Sequence, residues 1–178
     1  FLVWIQWARV RWPQGKQAWL HLSVTGILMH AGYLGGVWAA VKAGMGSGLS
    51  ALIVGLQPVL TAIWLSTHGD DGQNAVTRRQ WMGLLLGFCG LLLVVWRKLT
   101  QGSALDHVTA VNLSFAVMAL FAITLGTLYQ KSFVKPCDVR TANTVQLMAA
   151  MLVTTPLALL ETEPMQWNHE LMGAMAWS

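Results

Sequence analysis

The chain has 178 residues, 55% hydrophobic and 10% charged, with a formal net charge of +4. An ordinary soluble domain carries about 25% charged residues, so a water-soluble globular protein is excluded: it could not hide this much apolar surface. The basic residues sit in short segments between apolar runs, which reads as topology-setting charge and not as a nucleic-acid surface.

In chain order, the first residues already lie in an apolar run, Phe1–Val10, broken by Gln6 and Arg9. A second such run, Leu171–Trp177, precedes Ser178. Each is expected to belong to a further helix of a larger protein, and neither end shows the charged head and cleavage site of a signal peptide. Between them lie five stretches of membrane-spanning length: Trp19–Val41, Gly48–Thr67, Trp81–Trp96, Val108–Tyr129 and Thr144–Leu160. About 20 apolar residues in a helix cross the roughly 30 Å hydrocarbon core, and none of the five contains Asp, Glu, Lys or Arg. The predicted fold class is all-α, a polytopic transmembrane helix bundle. Trp19, Trp64, Trp81 and Trp96 stand near span ends, at the headgroup level that indole prefers.

The first span carries His30 and Tyr33 three residues apart, with Trp38 near its far end; His21 and His30, nine apart, have no metal-ligand spacing. Gly44, Gly46 and Gly48 predict a tight interhelical turn. A phosphate loop would need a strand–turn–helix setting that is missing here. In the second span Pro58 has no N–H and its ring crowds the Val54 carbonyl. In lipid that carbonyl needs another partner or a cavity. The residue is either a structural kink or, with Gln57 beside it, part of a binding site at an interrupted helix. Ser47 and His68 fall at opposite ends of this span, too far apart to act as nucleophile and base.

Gly83 and Gly87 form a Gly-x-x-x-Gly pattern in the third span, followed by Gly90, and predict a flat packing face. Cys89 lies in the same span and Cys137 in a loop, a pair with no metal or disulfide pattern. Helical spacing places Asn112, Phe115, Ala119, Ala122, Gly126 and Tyr129 on one stripe of the fourth span. Asn143, Gln146, Ala150 and Thr154 form a similar stripe on the fifth. Polar groups at membrane depth face the bundle interior, where they mark a pathway or bond neighbouring helices.

The loops before Trp19, between Thr67 and Trp81, and between Tyr129 and Thr144 hold Arg9, Arg11, Lys16, Arg78, Arg79, Lys131, Lys135 and Arg140. The opposite loops hold Lys42, Arg97 and Lys98, a distribution of eight against three. The positive-inside rule places the first set in the cytoplasm.

Three segments then carry a resemblance. Tyr33–Leu65 (YLGGVWAAVKAGMGSGLSALIVGLQPVLTAIWL) resembles the third and fourth helices of EamA-type drug/metabolite transporters, a small-residue turn leading into a helix with a central Pro-Val. Thr77–Trp96 (TRRQWMGLLLGFCGLLLVVW), with Gln80-Trp81-Met82-Gly83, is similar to the fifth helix, and Leu125–Val134 (LGTLYQKSFV) to the end of the sixth. The resemblance implies two inverted five-helix repeats, ten helices in all. Residues 1–98 would complete the first repeat and residues 106–178 would open the second. It further implies alternating-access movement of a small metabolite or drug-like solute across the cytoplasmic membrane of a bacterium, with export as the expected direction. Tyr33, Trp38, Gln57, Pro58, Asn112, Tyr129 and Gln146 are the candidate substrate-binding residues. No catalytic residue, metal or cofactor is expected. The partners implied are the lipid bilayer and a small-molecule substrate, with a homodimer as an option and no nucleic acid. One departure is plain: where the family carries Gly-Glu after its fourth helix, this chain has His68-Gly69-Asp70-Asp71. The alternatives are a non-transporting membrane scaffold or sensor and, beyond it, an intramembrane enzyme.

Overall fold

A computed structural model describes residues 12–68, 77–100, 107–160 and 172–173, the side chains at 94, 95 and 97–100 excepted. The apolar run at the start, the run at the end apart from Met172 and Gly173, Asp70 and Asp71, and the Lys98–Asp106 join between the expected repeats lie outside the described residues or side chains. Among the described residues every regular element is a helix. In chain order they are α1 (Lys16–Gly26), a π-helical turn (Ile27–Gly32), α2 (Tyr33–Lys42), α3 (Ser47–Val54), α4 (Gln57–His68), α5 (Arg78–Thr100), α6 (Ala110–Phe133) and α7 (Val139–Leu159).

Each of the five apolar stretches becomes helix. Lys16–Lys42, Ser47–His68, Ala110–Phe133 and Val139–Leu159 are four helices long and apolar enough to cross a membrane. The third stretch lies within the 23 residues of α5. Helix ends extend past the apolar runs because a helix stops where its last backbone groups are capped, while hydropathy marks only the part in lipid. The caps are visible. Thr109 and Asn112 form a reciprocal capping box at the start of α6. Thr77 and Gln80 do the same for α5: the Thr77 N–H donates to Gln80 Oε1 at 2.8 Å and the Gln80 N–H to Thr77 Oγ1 at 3.4 Å. The Asp138 carboxylate caps α7, accepting the Arg140 N–H at 2.9 Å.

The glycine turn forms as expected, closing as a Schellman motif. Gly44 takes φ +95°, its N–H donates to Val41 O at 2.9 Å, and the Met45 N–H donates to Ala40 O at 3.0 Å. Met45 then folds back into a small core with Ala40 and Ala116.

Helix α6 is the hub. It packs on α1, the π-turn, α2, α3 and α4, while α7 lies against α1 and the π-turn, and α5 touches α3 and α4. The buried face of α6 includes Asn112, Ala119, Ala122 and Gly126, four members of the expected stripe. Small residues let the backbones approach. A Cβ added at Gly36 would lie 3.0 Å from the Ala119 Cβ, one at Gly32 would lie 3.1 Å from the Ala122 Cβ, and one at Gly126 would lie 2.7 Å from Met29 Cγ. On the other side of the first span, Gly26 sits directly against the Gln146 backbone of α7.

Here one expectation is corrected. A methyl group added at Gly83, Gly87 or Gly90 would meet nothing within 4 Å, so among the described residues these glycines pack no helix. The pattern marks a flat face but does not select its partner, and the close packing falls instead to Gly32 and Gly36 against Ala119 and Ala122.

Candidate functional site

The second span is broken. The Gly55 N–H still donates to Ala51 O at 2.8 Å, but the Leu56 N–H reaches back only to Ile53 O at 3.1 Å, and regular helix resumes at Gln57. Pro58 therefore lies in the first turn of α4, where a missing N–H leaves no bond unmade. The departure from regular helix expected at Pro58, as a kink or as an interruption, is centred just before the proline, at Gly55–Leu56.

Two hollows meet at this break. A cleft of about 860 Å³ runs between α4, α5 and α6, lined by Gln57, Thr61, Gln80, Gly83, Thr127 and Lys131 among others. A smaller cavity of about 350 Å³ extends towards the Ala43–Gly46 turn, lined by Tyr33, Val37, Ser47 and Val54. Gly55, Gln57 and Pro58 line both. The exposed glycines of α5 thus find a place: Gly83 and Gly87 form part of the wall of the larger cleft.

Gln57 is held across the cleft. Its Nε2–H donates to Thr127 Oγ1 at 3.3 Å. The Thr127 hydroxyl lies 2.8 Å from Ile123 O and 2.9 Å from Thr124 O, so its proton goes to its own helix and its oxygen is left to accept. Gln57 keeps its amide oxygen for another donor. Lys131 and Gln80 stand at the end of the cleft nearest the basic loops.

The seven expected site residues are distributed over the bundle. Tyr33, Gln57 and Pro58 come together at the break. Trp38 is more than half exposed, with the Lys42 ammonium 4.8 Å from its ring centroid. Asn112 is fully buried at the end of the bundle near the Ala43–Gly46 turn: its Nδ2 donates to Ala43 O at 3.2 Å and His107 O at 2.7 Å, while Oδ1 accepts the Thr109 N–H at 2.9 Å. Tyr129 lies at the opposite end, where its hydroxyl and His21 Nδ1 share a hydrogen bond of 2.7 Å. Gln146 is buried at the α1–α7 crossing. Thr127, Thr61, Gln80 and Lys131 escaped sequence reasoning. A helical Thr that bonds its own backbone carries no signal of a second partner, and Lys131 reads as loop charge.

The end-to-end contacts also bear on sidedness. His21 with Tyr129 and Asn112 with Ala43 require α1–α2 to run antiparallel to α6, as the alternating loops demand. Ser47 opens α3, whereas His68 closes α4 stacked on Trp64 with centroids 4.1 Å apart. Among the described residues no three His, Cys, Asp or Glu side chains converge.

The described residues thus form an all-helical bundle with four helices long and apolar enough to cross a membrane, as in an integral membrane protein, and with a cleft where one of these spans is interrupted. Comparison of the chain with protein-family models, curated proteins and solved structures found no match.

Proposed function

We propose that this chain is part of a membrane transporter of the EamA type, moving a small metabolite or drug-like solute across the cytoplasmic membrane by alternating access. The observation that carries the reading is the break at Gly55–Leu56, where Gly55, Gln57 and Pro58 line both a large cleft and a smaller cavity. Interrupted helices at membrane depth are where secondary transporters expose backbone and amide groups to substrate. A closed scaffold bundle would be expected to continue the helix and fill the space with side chains. The wall is largely apolar, with the Gln57 and Gln80 amides, the Thr61 and Thr127 hydroxyls and the Lys131 ammonium as its polar points. This set suits a solute with an apolar body and a hydrogen-bonding or anionic head.

The test uses the complete protein in proteoliposomes with a panel of small metabolites. Saturable flux of at least one solute is expected, and Gln57→Ala should raise its half-saturation concentration by about two- to tenfold, the worth of one hydrogen bond. Unchanged kinetics would remove Gln57 from the site. Absence of saturable flux across the panel would favour a scaffold or sensor.

A further inference from the structure

A second hollow lies away from the cleft, at the end of the bundle where the basic loops gather. It measures about 560 Å³ and is formed where the start of α1 meets the α6–α7 loop, with Lys16, His21, Phe133, Lys135 and Cys137 in its wall. Asp138 is the only carboxylate among the described residues, and it is engaged in capping α7 through the Arg140 N–H. Among those residues no acid neutralises Lys16 or Lys135. His21 is fixed in place by Tyr129 and stacks on Phe133 with ring centroids 5.6 Å apart, so the wall is built and not merely a gap between loops.

An adjoining groove shares Gly15 and Lys16 with this hollow and continues along Trp19, Leu20 and Ser23 on the outer face of α1. Leu20 is 60% exposed, as a residue facing lipid tails would be. Trp12 and Trp19 stack at 5.9 Å, and the Trp19 indole N–H donates to Pro13 O at 3.0 Å, so the indole pair marks the headgroup level. A cationic hollow at headgroup depth thus opens into an apolar groove that descends along a spanning helix.

We propose that this hollow binds an anionic phospholipid, its phosphate between Lys16 and Lys135 and one acyl chain along Trp19 and Leu20. Basic pockets between spanning helices on the cytoplasmic side recognise lipid phosphate in this way. A free phosphate would satisfy the lysines but leave the groove unused.

The experiment is native mass spectrometry of the complete protein released from micelles supplied with phosphatidylglycerol, phosphatidylcholine or inorganic phosphate. One phosphatidylglycerol should be retained in preference to phosphatidylcholine. Lys16→Gln with Lys135→Gln should weaken that retention by about thirtyfold, the contribution of two lysines at an anionic surface. Lys16→Arg with Lys135→Arg should preserve it, which separates charge loss from misfolding. Arg78→Gln with Arg79→Gln, on the same side but outside the hollow, should leave retention unchanged. Equal retention of the two lipids, an equal loss in the Arg78/Arg79 variant, or displacement of the lipid by millimolar inorganic phosphate would each overturn the assignment.

Discussion

At the level of single residues, this bundle is governed by where a side chain is absent. Gly26 meets the Gln146 backbone, and a methyl there would contact atoms that cannot swing aside. Gly90 on α5 faces open space. Gly26→Ala is therefore expected to lower unfolding free energy in detergent by about 1–3 kcal/mol, the usual range for overpacking, while Gly90→Ala should cost nothing measurable. Denaturant unfolding followed by tryptophan fluorescence checks both, and equal effects would contradict the α1–α7 crossing. The glycine pattern in the sequence pointed to α5, since Gly83 and Gly87 have the right spacing. Spacing describes one face only, and the partner stripe of Ala119, Ala122 and Gly126 belongs to a helix far along the chain. Asn112 shows the same limit. Its burial on the α6 stripe was legible, but its bonds to Thr109, His107 and Ala43 depend on a fold that brings the Ala43–Gly46 turn alongside.

Among the elements, α3 and α4 carry the most information. Pro58 announced a kink or an interruption, yet the backbone tightens at Leu56, before the proline is reached. A proline in the first turn of a new helix costs little, whereas one inside a continuous helix costs about 3 kcal/mol. Pro58→Ala should accordingly change unfolding free energy by less than about 1 kcal/mol. A gain near 3 kcal/mol in the same fluorescence assay would mean that the span is a strained continuous helix. The existence of all five helices was readable because each apolar run is long and free of charge. Their ends were less so: Arg78, Gln130 and Val139 are helical yet lie outside the apolar runs, and only the Thr77, Thr109 and Asp138 caps set the limits at three of them. The π-turn left no mark, as Ile27–Gly32 contains neither proline nor a polar run.

Across the whole molecule, the two native cysteines report on orientation. Cys137 is exposed in the α6–α7 loop, on the side of Lys135 and Arg140, and Cys89 is exposed near the middle of α5. A membrane-impermeant maleimide needs an aqueous thiolate. In intact cells neither should react; in inside-out vesicles Cys137 should label and Cys89 should not, until detergent removes the lipid. Labelling of Cys137 from outside intact cells would reverse the topology. The alternation itself was legible from the distribution of Lys and Arg. The candidate site was legible only at Tyr33, Gln57 and Pro58, which proximity along two neighbouring spans brings together. Thr127 and Lys131 join them through the path of α6, which no local pattern encodes.

The π-turn in the first span has one more consequence. A wide turn holds one residue more than a regular one, and each residue rotates an α-helix by about 100°. Gly26 is thereby turned to α7 while Gly32 and Gly36 are turned to α6. A relative whose first span is a regular helix would need one residue fewer between 27 and 32 to present the same two faces. Evolution can therefore retime this span by a single codon, leaving its length across the bilayer almost unaltered while exchanging the helix that each glycine meets.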